Sequence, residues 1–321
     1  VVVVPETFAV RVKTISKIAD DVVSVVLTRV TDDDMPEFNC GSHIDLILQP
    51  DLIRQYSLCG SPSDRRQWTI AVLREANGRG GSAYVHDTLR PGAELSITGP
   101  RNNFPLVDAE RYLFIAGGIG ITPMLPMIQE VDSRGKDWEL LYGGRQRSSM
   151  AYVESLAALG AQVSIVPQDE CGLLDLARAL KDLPSDACVY CCGPEALITA
   201  VETACADYGL TKPRIERFTA RPGSTAVRDG VADGDFEVVL RKSARRVTIP
   251  AGRPITEVLE ESGVRIPTSC TEGFCGTCET RVVSGTPDHR DEYLSEEERA
   301  ASATMMPCVS RSKTPVLELD I

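Results

Sequence analysis

Cys270, Cys275 and Cys278 follow one another as Cys-x4-Cys-x2-Cys, and Cys308 comes after 29 further residues. Four thiolates in that order have the ligand spacing of a plant-type 2Fe-2S cluster. A loop that wraps a cluster must approach it closely, and Gly273 and Gly276 allow the wrap because a residue without Cβ tolerates positive φ. The spacing predicts short strands at Phe236–Leu240, Arg246–Ile249, Glu279–Val283 and Val316–Leu319 with a helix over Ile255–Ser262, a small α+β domain. A structural zinc site is the alternative, but it normally pairs one close Cys pair with another, and Cys308 stands alone. Disulfides do not suit a cytosolic-looking chain. The other seven cysteines, Cys40, Cys59, Cys171, Cys188, Cys191, Cys192 and Cys205, read as small buried hydrophobes in a reducing compartment.

The rest of the chain divides by rhythm. Its 321 residues are enough for two or three domains. Six β-rich runs fill the first hundred positions (Phe8–Val12, Val22–Thr28, His43–Leu48, Tyr56–Leu58, Trp68–Val72 and Glu94–Thr98), separated by Gly, Pro and Asp clusters. This pattern predicts an antiparallel barrel or sandwich. From Arg111 strands and helices alternate, with strands expected at Tyr112–Ala116, Glu139–Gly143, Gln162–Val166 and Ala187–Cys191, which predicts a doubly wound parallel α/β sheet. The expected domains are a barrel over 1–107, an α/β domain over 108–222, a polar linker over 223–235 and the cysteine domain over 236–321. The opening Val1–Val4 lacks a basic flank and stops at Pro5, so it does not read as a signal peptide. No apolar run reaches the roughly 18 residues of a membrane span, and the expected location is cytoplasmic. With 34 basic and 46 acidic residues, the net charge of −12 disfavours nucleic acid and anionic membranes and suits a basic protein partner. Three scattered histidines cannot build a His-rich catalytic metal site.

Two glycine turns follow predicted strands. Gly117-Gly118-Ile119-Gly120-Ile121-Thr122-Pro123 ends in a proline at the expected start of a helix, and Cys192-Gly193-Pro194 repeats the arrangement. Backbone N–H groups at such turns suit a phosphate-bearing ligand at the carboxyl ends of the strands. In the barrel, Arg54-Gln55-Tyr56-Ser57 sets a cation, an aromatic face and a hydroxyl on one strand, and Gly78-Arg79-Gly80-Gly81-Ser82 reads as a flexible basic loop suited to a phosphate. Taken singly, Arg54 is equally a surface charge, the glycine loop a plain turn and Cys192 a packed thiol.

Together these segments, with Gly99-Pro100-Arg101-Asn102-Asn103-Phe104-Pro105-Leu106 and Asp288-His289-Arg290-Asp291, resemble the phthalate dioxygenase reductase family of the ferredoxin-NADP reductase superfamily over essentially the whole chain. The resemblance implies a flavin barrel, a nicotinamide domain and a ferredoxin-like β-grasp domain in that order, with FMN, NADH and a 2Fe-2S cluster as cofactors. It implies that Arg54, Tyr56, Ser57, Arg79, Gly80, Gly81 and Ser82 contact flavin and that Ala71, Val72 and Leu73 flank its ring. Gly118, Gly120, Thr122, Pro123, Cys192, Gly193 and Pro194 would line the nicotinamide side. Ser57, Cys192 and Phe218 would serve hydride transfer, Phe218 by covering the flavin; read alone, Phe218 is a core residue ending the last α/β strand. Leu73 and Thr219 depart from the family pattern. Arg145 and Arg147 follow the second α/β strand, where two arginines could hold a 2′-phosphate although the family implies NADH.

Hydride transfer moves two electrons and an iron–sulfur cluster takes one, so a flavin belongs between them. The expected chain is NADH to FMN to 2Fe-2S to an external acceptor. The resemblance implies a separate Rieske-type aromatic dioxygenase or demethylase as that acceptor, and a monomeric reductase. A bacterial haem-thiolate monooxygenase is the alternative acceptor, a small molecule a further one, and a non-catalytic metal-binding adaptor the rival from another class. From Asp229 onward there are 17 acidic and 11 basic residues, and Asp291-Glu292 with Glu296-Glu297-Glu298 are the expected docking face, the latter equally a solvated helix face.

Overall fold

The computed structural model describes residues 7–219 and 234–321, so positions 223–233 of the expected linker lie outside the described residues. The chain divides into two compact units, Val1–Arg217 and Phe218–Ile321. The first begins with strands β1 (Thr7–Ala19), β2 (Val22–Arg29), β3 (Ser42–Gln49), β4 (Leu52–Ser57), β5 (Trp68–Leu73) and β6 (Glu94–Asn102). They form one antiparallel sheet in the order β4-β3-β6-β1-β2-β5. Alternate residues such as Val10, Val12, Val25, Leu27, Ile44, Leu46 and Ile97 are buried on its inner face, as a two-residue side-chain period requires. A single bridge from Leu58 to Ile70 brings the sheet's two edges together. Between β5 and β6 lies helix α1 (Gly81–Asp87).

The second sheet is wholly parallel, ordered β11-β10-β7-β8-β9, from β7 (Arg111–Gly117), β8 (Asp137–Gly144), β9 (Val163–Pro167), β10 (Cys188–Cys192) and β11 (Arg214–Glu216). Helices α2 (Met124–Ser133), α3 (Val153–Ala157), α4 (Gln168–Cys171), α5 (Leu176–Leu180) and α6 (Glu195–Asp207) complete it. Both faces of β7 are apolar. Leu113 and Ile115 pack with Val189, Ile198 and Val201, while Tyr112, Phe114 and Ala116 join a cluster that also holds Val22, Cys40, Cys59, Ala71 and Phe104 of the barrel. That shared core makes barrel and parallel sheet one body. Polar contacts reinforce the seam: the Asp20 N–H donates to the Ser148 carbonyl at 2.8 Å, and the Cys59 thiol lies 3.5 Å from the Tyr152 hydroxyl.

The second unit contains β12 (Phe236–Leu240), β13 (Arg245–Ile249), α7 (Ile255–Glu261), β14 (Thr280–Ser284), β15 (Pro287–Asp288), α8 (Glu296–Ala301), β16 (Thr304–Met305), β17 (Arg311–Ser312) and β18 (Val316–Leu319). Its five-stranded sheet runs β13-β12-β18-β14-β16, with β12 and β18 parallel. Ile255, Val258 and Leu259 of α7 pack on Val238, Leu240, Leu317 and Leu319. Ser295 caps α8 in a reciprocal capping box with Glu298. Glu296, Glu297 and Glu298 therefore occupy a helix N-terminus, where acidic side chains are favoured.

Candidate flavin, nicotinamide and cluster sites

The glycine loop of the barrel is not a free loop. Gly80, at φ 82°, is the N-cap of α1, and Gly81 and Ser82 begin the helix, whose first turn carries no side-chain cap. The sequence reading missed this helix because its two glycines are poor helix formers. Arg54 of β4 crosses beneath the turn, with Nη2 donating to the Arg79 carbonyl and Nη1 to the Ile53 carbonyl at 2.7 Å. The far end of α1 is pinned to β5, since His86 Nε2 donates to the Val72 carbonyl at 3.0 Å and Arg74 grips Asp87 at 2.5 and 2.8 Å. A guanidinium beside uncapped backbone N–H groups fits a flavin phosphate. A Cβ on Gly81 would collide with the Arg54 side chain and lie 2.8 Å from its Nε. Gly81→Ala is therefore expected to displace Arg54 and weaken FMN binding about tenfold, a loss of about 1.4 kcal/mol, measured by equilibrium dialysis of apoprotein. Along β5 the pleat separates the expected ring neighbours. Ala71 and Leu73 lie on the shared-core side, while Val72 is turned into the barrel interior. Tyr56 is half-buried and Ser57 buried.

The two glycine turns of the parallel sheet meet. After β7 the chain makes a 3-10 turn over Gly118–Ile121, and Pro123 stands at the N-cap of α2 rather than in its first turn. Gly193 follows β10, and Pro194 caps α6. A Cβ on Gly120 would run into the Cys192 carbonyl and sit 2.8 Å from Gly193 N; one on Gly193 would lie 3.0 Å from the Gly117 backbone. By contrast, nothing lies within 4 Å of the corresponding position on Gly118, whose φ is 56°, so the turn has an open side beside its close-packed one. This fits a flat ligand over the strand ends. Thr122 is buried, its hydroxyl donating to the Ile119 carbonyl at 3.0 Å. Arg145 is exposed, whereas Arg147 lies 3.4 Å from Glu170.

At the strand ends the structure adds a residue that the sequence reading missed. Glu216 ends β11 directly beside Cys192 of β10, and Ser57 Oγ donates to Glu216 Oε2 at 3.4 Å. Ser57, Cys192 and Glu216 thus come from three distant segments to one place. Flanked by Arg214 and Arg217, Glu216 looks in sequence like part of a charged surface strand. Burial pushes its carboxyl up to about 8, only partly offset by the Ser57 hydroxyl. Burial, with Glu216 nearby, also holds the Cys192 thiol well above its ordinary value, so Cys192 is a neutral thiol. Arg217 is clamped by Glu195 at 2.9 Å and Glu202 at 3.2 Å. Phe218 is 40% exposed and not a core residue; its expected part in covering the flavin remains with the resemblance.

A raised carboxyl binds its proton in the folded chain before the unfolded chain does. Folded stability is therefore expected to fall as pH rises from the ordinary carboxylate range through about 8. Glu216→Gln removes that slope. Relative to the parent it gains roughly 1–3 kcal/mol between pH 5 and 9, read from urea unfolding of the apoprotein at both pH values.

In the second unit Cys270, Cys275 and Cys278, between α7 and β14, and Cys308, between β16 and β17, are all buried. The Cys278 and Cys308 sulfurs lie 3.2 Å apart, and Cys270 interacts with both Cys275 and Cys308. The Glu272 N–H donates to Cys270 Sγ at 3.3 Å, a backbone donor aimed at sulfur. Gly273 and Gly276 have φ of 77° and 74°, and Gly276 has no room for a Cβ against the Tyr293 ring. Among the described residues no group of three or more His, Cys, Asp or Glu is arranged around one ion; a two-iron cluster asks only two thiolates of each iron. The Cys275 thiol is pushed up by its hydrogen bond with the Cys270 thiol and by burial, so a cluster's positive iron charge is what would hold it as thiolate. Asp291, expected on a docking face, is instead completely buried.

A curled antiparallel barrel sharing a core with a parallel sheet, and a four-cysteine loop on a mixed sheet, define an electron-transfer reductase of the ferredoxin-reductase type. The profile of the 2Fe-2S iron-sulfur cluster binding domain matches residues 238–313, and that of the dimethylamine monooxygenase subunit DmmA-like N-terminal domain matches residues 104–215. The chain is 41% identical to phenoxybenzoate dioxygenase subunit beta of Ectopseudomonas oleovorans, over 97% of this chain and 96% of that protein. It is also 41% identical to tetrachlorobenzoquinone reductase of Sphingobium chlorophenolicum, over 98% of each. Among solved structures, phthalate dioxygenase reductase matches at 33% identity and a TM-score of 0.72 over 98% of both chains. An intact type IV self-sufficient cytochrome P450 monooxygenase matches at 38% identity and a TM-score of 0.87, over 98% of this chain and 41% of that one. The chain belongs to the phthalate dioxygenase reductase family.

Proposed function

We propose that this chain is the reductase component of an oxygenase system, passing electrons from NADH through FMN and a 2Fe-2S cluster to a separate oxygenase. The observation that carries the reading is the meeting of Ser57, Cys192 and Glu216 at the ends of β4, β10 and β11, where a flavin ring and a nicotinamide would face each other. When bound, the flavin supplies the conversion of a two-electron donor to single-electron delivery. The protein's own residues position and insulate. Arg54 and the first turn of α1 hold the phosphate end, and Ala71 and Leu73 pack beside the ring. Gly118, Gly120, Thr122, Pro123, Gly193 and Pro194 shape the nicotinamide floor. The Ser57 hydroxyl hydrogen-bonds Glu216, whose raised carboxyl keeps a proton near neutrality. Cys270, Cys275, Cys278 and Cys308 would hold the cluster.

We assign the flavin-binding part to 1–107, the nicotinamide-binding part to 108–222, a linker to 223–235 and the cluster domain to 236–321. A monomeric, cytoplasmic reductase serving a Rieske-type aromatic dioxygenase or demethylase is the finer reading. Among the described residues no helix is long and apolar enough to cross a membrane. The net charge of −12 favours a basic protein acceptor. The cytochrome P450 likeness favours a haem-thiolate monooxygenase as second acceptor. An anaerobic visible spectrum before and after stoichiometric NADH tests the reading: flavin and cluster bands should both bleach. A protein with neither chromophore after reconstitution overturns it, and NADPH in a parallel cell tests the coenzyme.

A further inference from the structure

Behind the cysteine loop lies a buried carboxyl group that is not one of the four cysteines' partners in ligation. Asp291 is 0% exposed at its side chain. Its Oδ2 accepts from the Leu294 N–H at 2.9 Å and its Oδ1 from the Ser310 hydroxyl at 3.2 Å. His289 Nδ1 stands 3.6 Å from Oδ1, and an Arg299 guanidinium nitrogen stands 3.9 Å from Oδ2 while donating to the Asp291 carbonyl at 2.5 Å. The residue abuts both ligand-bearing segments. A Cβ on Gly273, between Cys270 and Cys275, would lie 3.1 Å from Asp291 Cα, and the Glu292 N–H donates to the Gly273 carbonyl at 3.0 Å. On the other side Ser310 lies two residues beyond Cys308. A carboxylate offers an acceptor to each of the two donors, the Leu294 N–H and the Ser310 hydroxyl; an amide would keep one of them and turn its NH2 toward the other.

We propose that Asp291 is a fixed negative charge that lowers the reduction potential of the cluster, and that Arg299 sets how strongly it is felt. The inference rests on reading the cysteine loop as a 2Fe-2S site. Reduction adds one electron to the cluster, and a neighbouring anion shielded from water opposes that addition. Arg299, on the more exposed α8, partly offsets the anion.

The test is a dye-equilibrated anaerobic titration of full-length holoprotein, following cluster absorbance and the electron paramagnetic resonance of the reduced form. Asp291→Asn keeps the volume and an acceptor, and should move the reduction equilibrium about tenfold toward the reduced cluster, an upward shift of about 59 mV for one electron. Arg299→Met removes the offsetting cation and should move the midpoint downward. The flavin midpoint, read in the same titration, serves as the internal control. Unchanged midpoints, shifts of the same sign in both variants, or loss of the cluster from both while the parent retains it would each overturn the proposal in favour of a packing role. A parent without a cluster would instead overturn the reading of the cysteine loop.

Discussion

Replacing Cys278 with serine should leave a protein whose flavin is still reduced by NADH but which no longer delivers electrons to a one-electron protein acceptor. The two activities are expected to separate because the residues proposed for flavin and nicotinamide, Phe218 apart, lie within Val1–Arg217, whereas the four cysteines lie in the other compact unit. Cys278 is buried, its sulfur is 3.2 Å from that of Cys308, and it belongs to the hydrophobic core of its unit. Serine offers a harder, less readily ionised ligand in a place shaped for sulfur, so the cluster should not assemble. Cluster absorbance should disappear, and reduction of a one-electron acceptor should fall by more than about a hundredfold. Because metal binding and folding free energy are linked, the second unit should also unfold at lower temperature than in the parent. Stopped-flow flavin reduction by NADH should remain within about twofold, as for residues that share no partners. Loss of flavin reduction together with the cluster would show that the two units do not work as separable modules.

Gly120→Ala should have the opposite signature, a filled cluster that NADH cannot reach. The added methyl has nowhere to go, since the Cys192 carbonyl occupies its place and Gly193 N lies 2.8 Å away. Both obstacles are backbone, so no rotamer change relieves them. The turn after β7 must then move away from the turn after β10, at a cost of about 1–3 kcal/mol. A displacement of about 1 Å at a hydride-transfer site lowers the rate on the order of a hundredfold. Dithionite should still bleach both chromophores, whereas NADH-driven bleaching should slow by that factor. Gly118→Ala meets no protein atom within 4 Å and has a φ of 56°, so it probes the open, ligand-facing side of the turn and not its packing.

Much of this architecture is legible in sequence because it rests on short-range rules. The predicted strand at Tyr112–Ala116 matches β7, and Phe236–Leu240 matches β12, since an apolar run bounded by turn residues has few other ways to bury itself. Helix α1 escaped notice because Gly80-Gly81 reads as a breaker, although the left-handed Gly80 is what lets the helix begin. The pleat of β5 separates Val72 from Ala71 and Leu73, a distinction that needs the strand's facing and not only its place in the chain. Asp291 resembles a surface acid beside Glu292 and Glu296–Glu298, yet only its neighbours are exposed to any degree.

By itself the sequence determined the spacing of the four cysteines, the two glycine turns and the Arg54–Ser57 strand. Each is a local pattern whose spacing already satisfies a backbone or coordination requirement. Only the tertiary structure decided that Glu216 stands beside Ser57 and Cys192, and that one core joins the barrel to the parallel sheet. The Ser57–Glu216 contact spans 159 positions of chain. Its carboxyl is shifted by the surroundings that three separate strands build around it, and no local spacing encodes those surroundings.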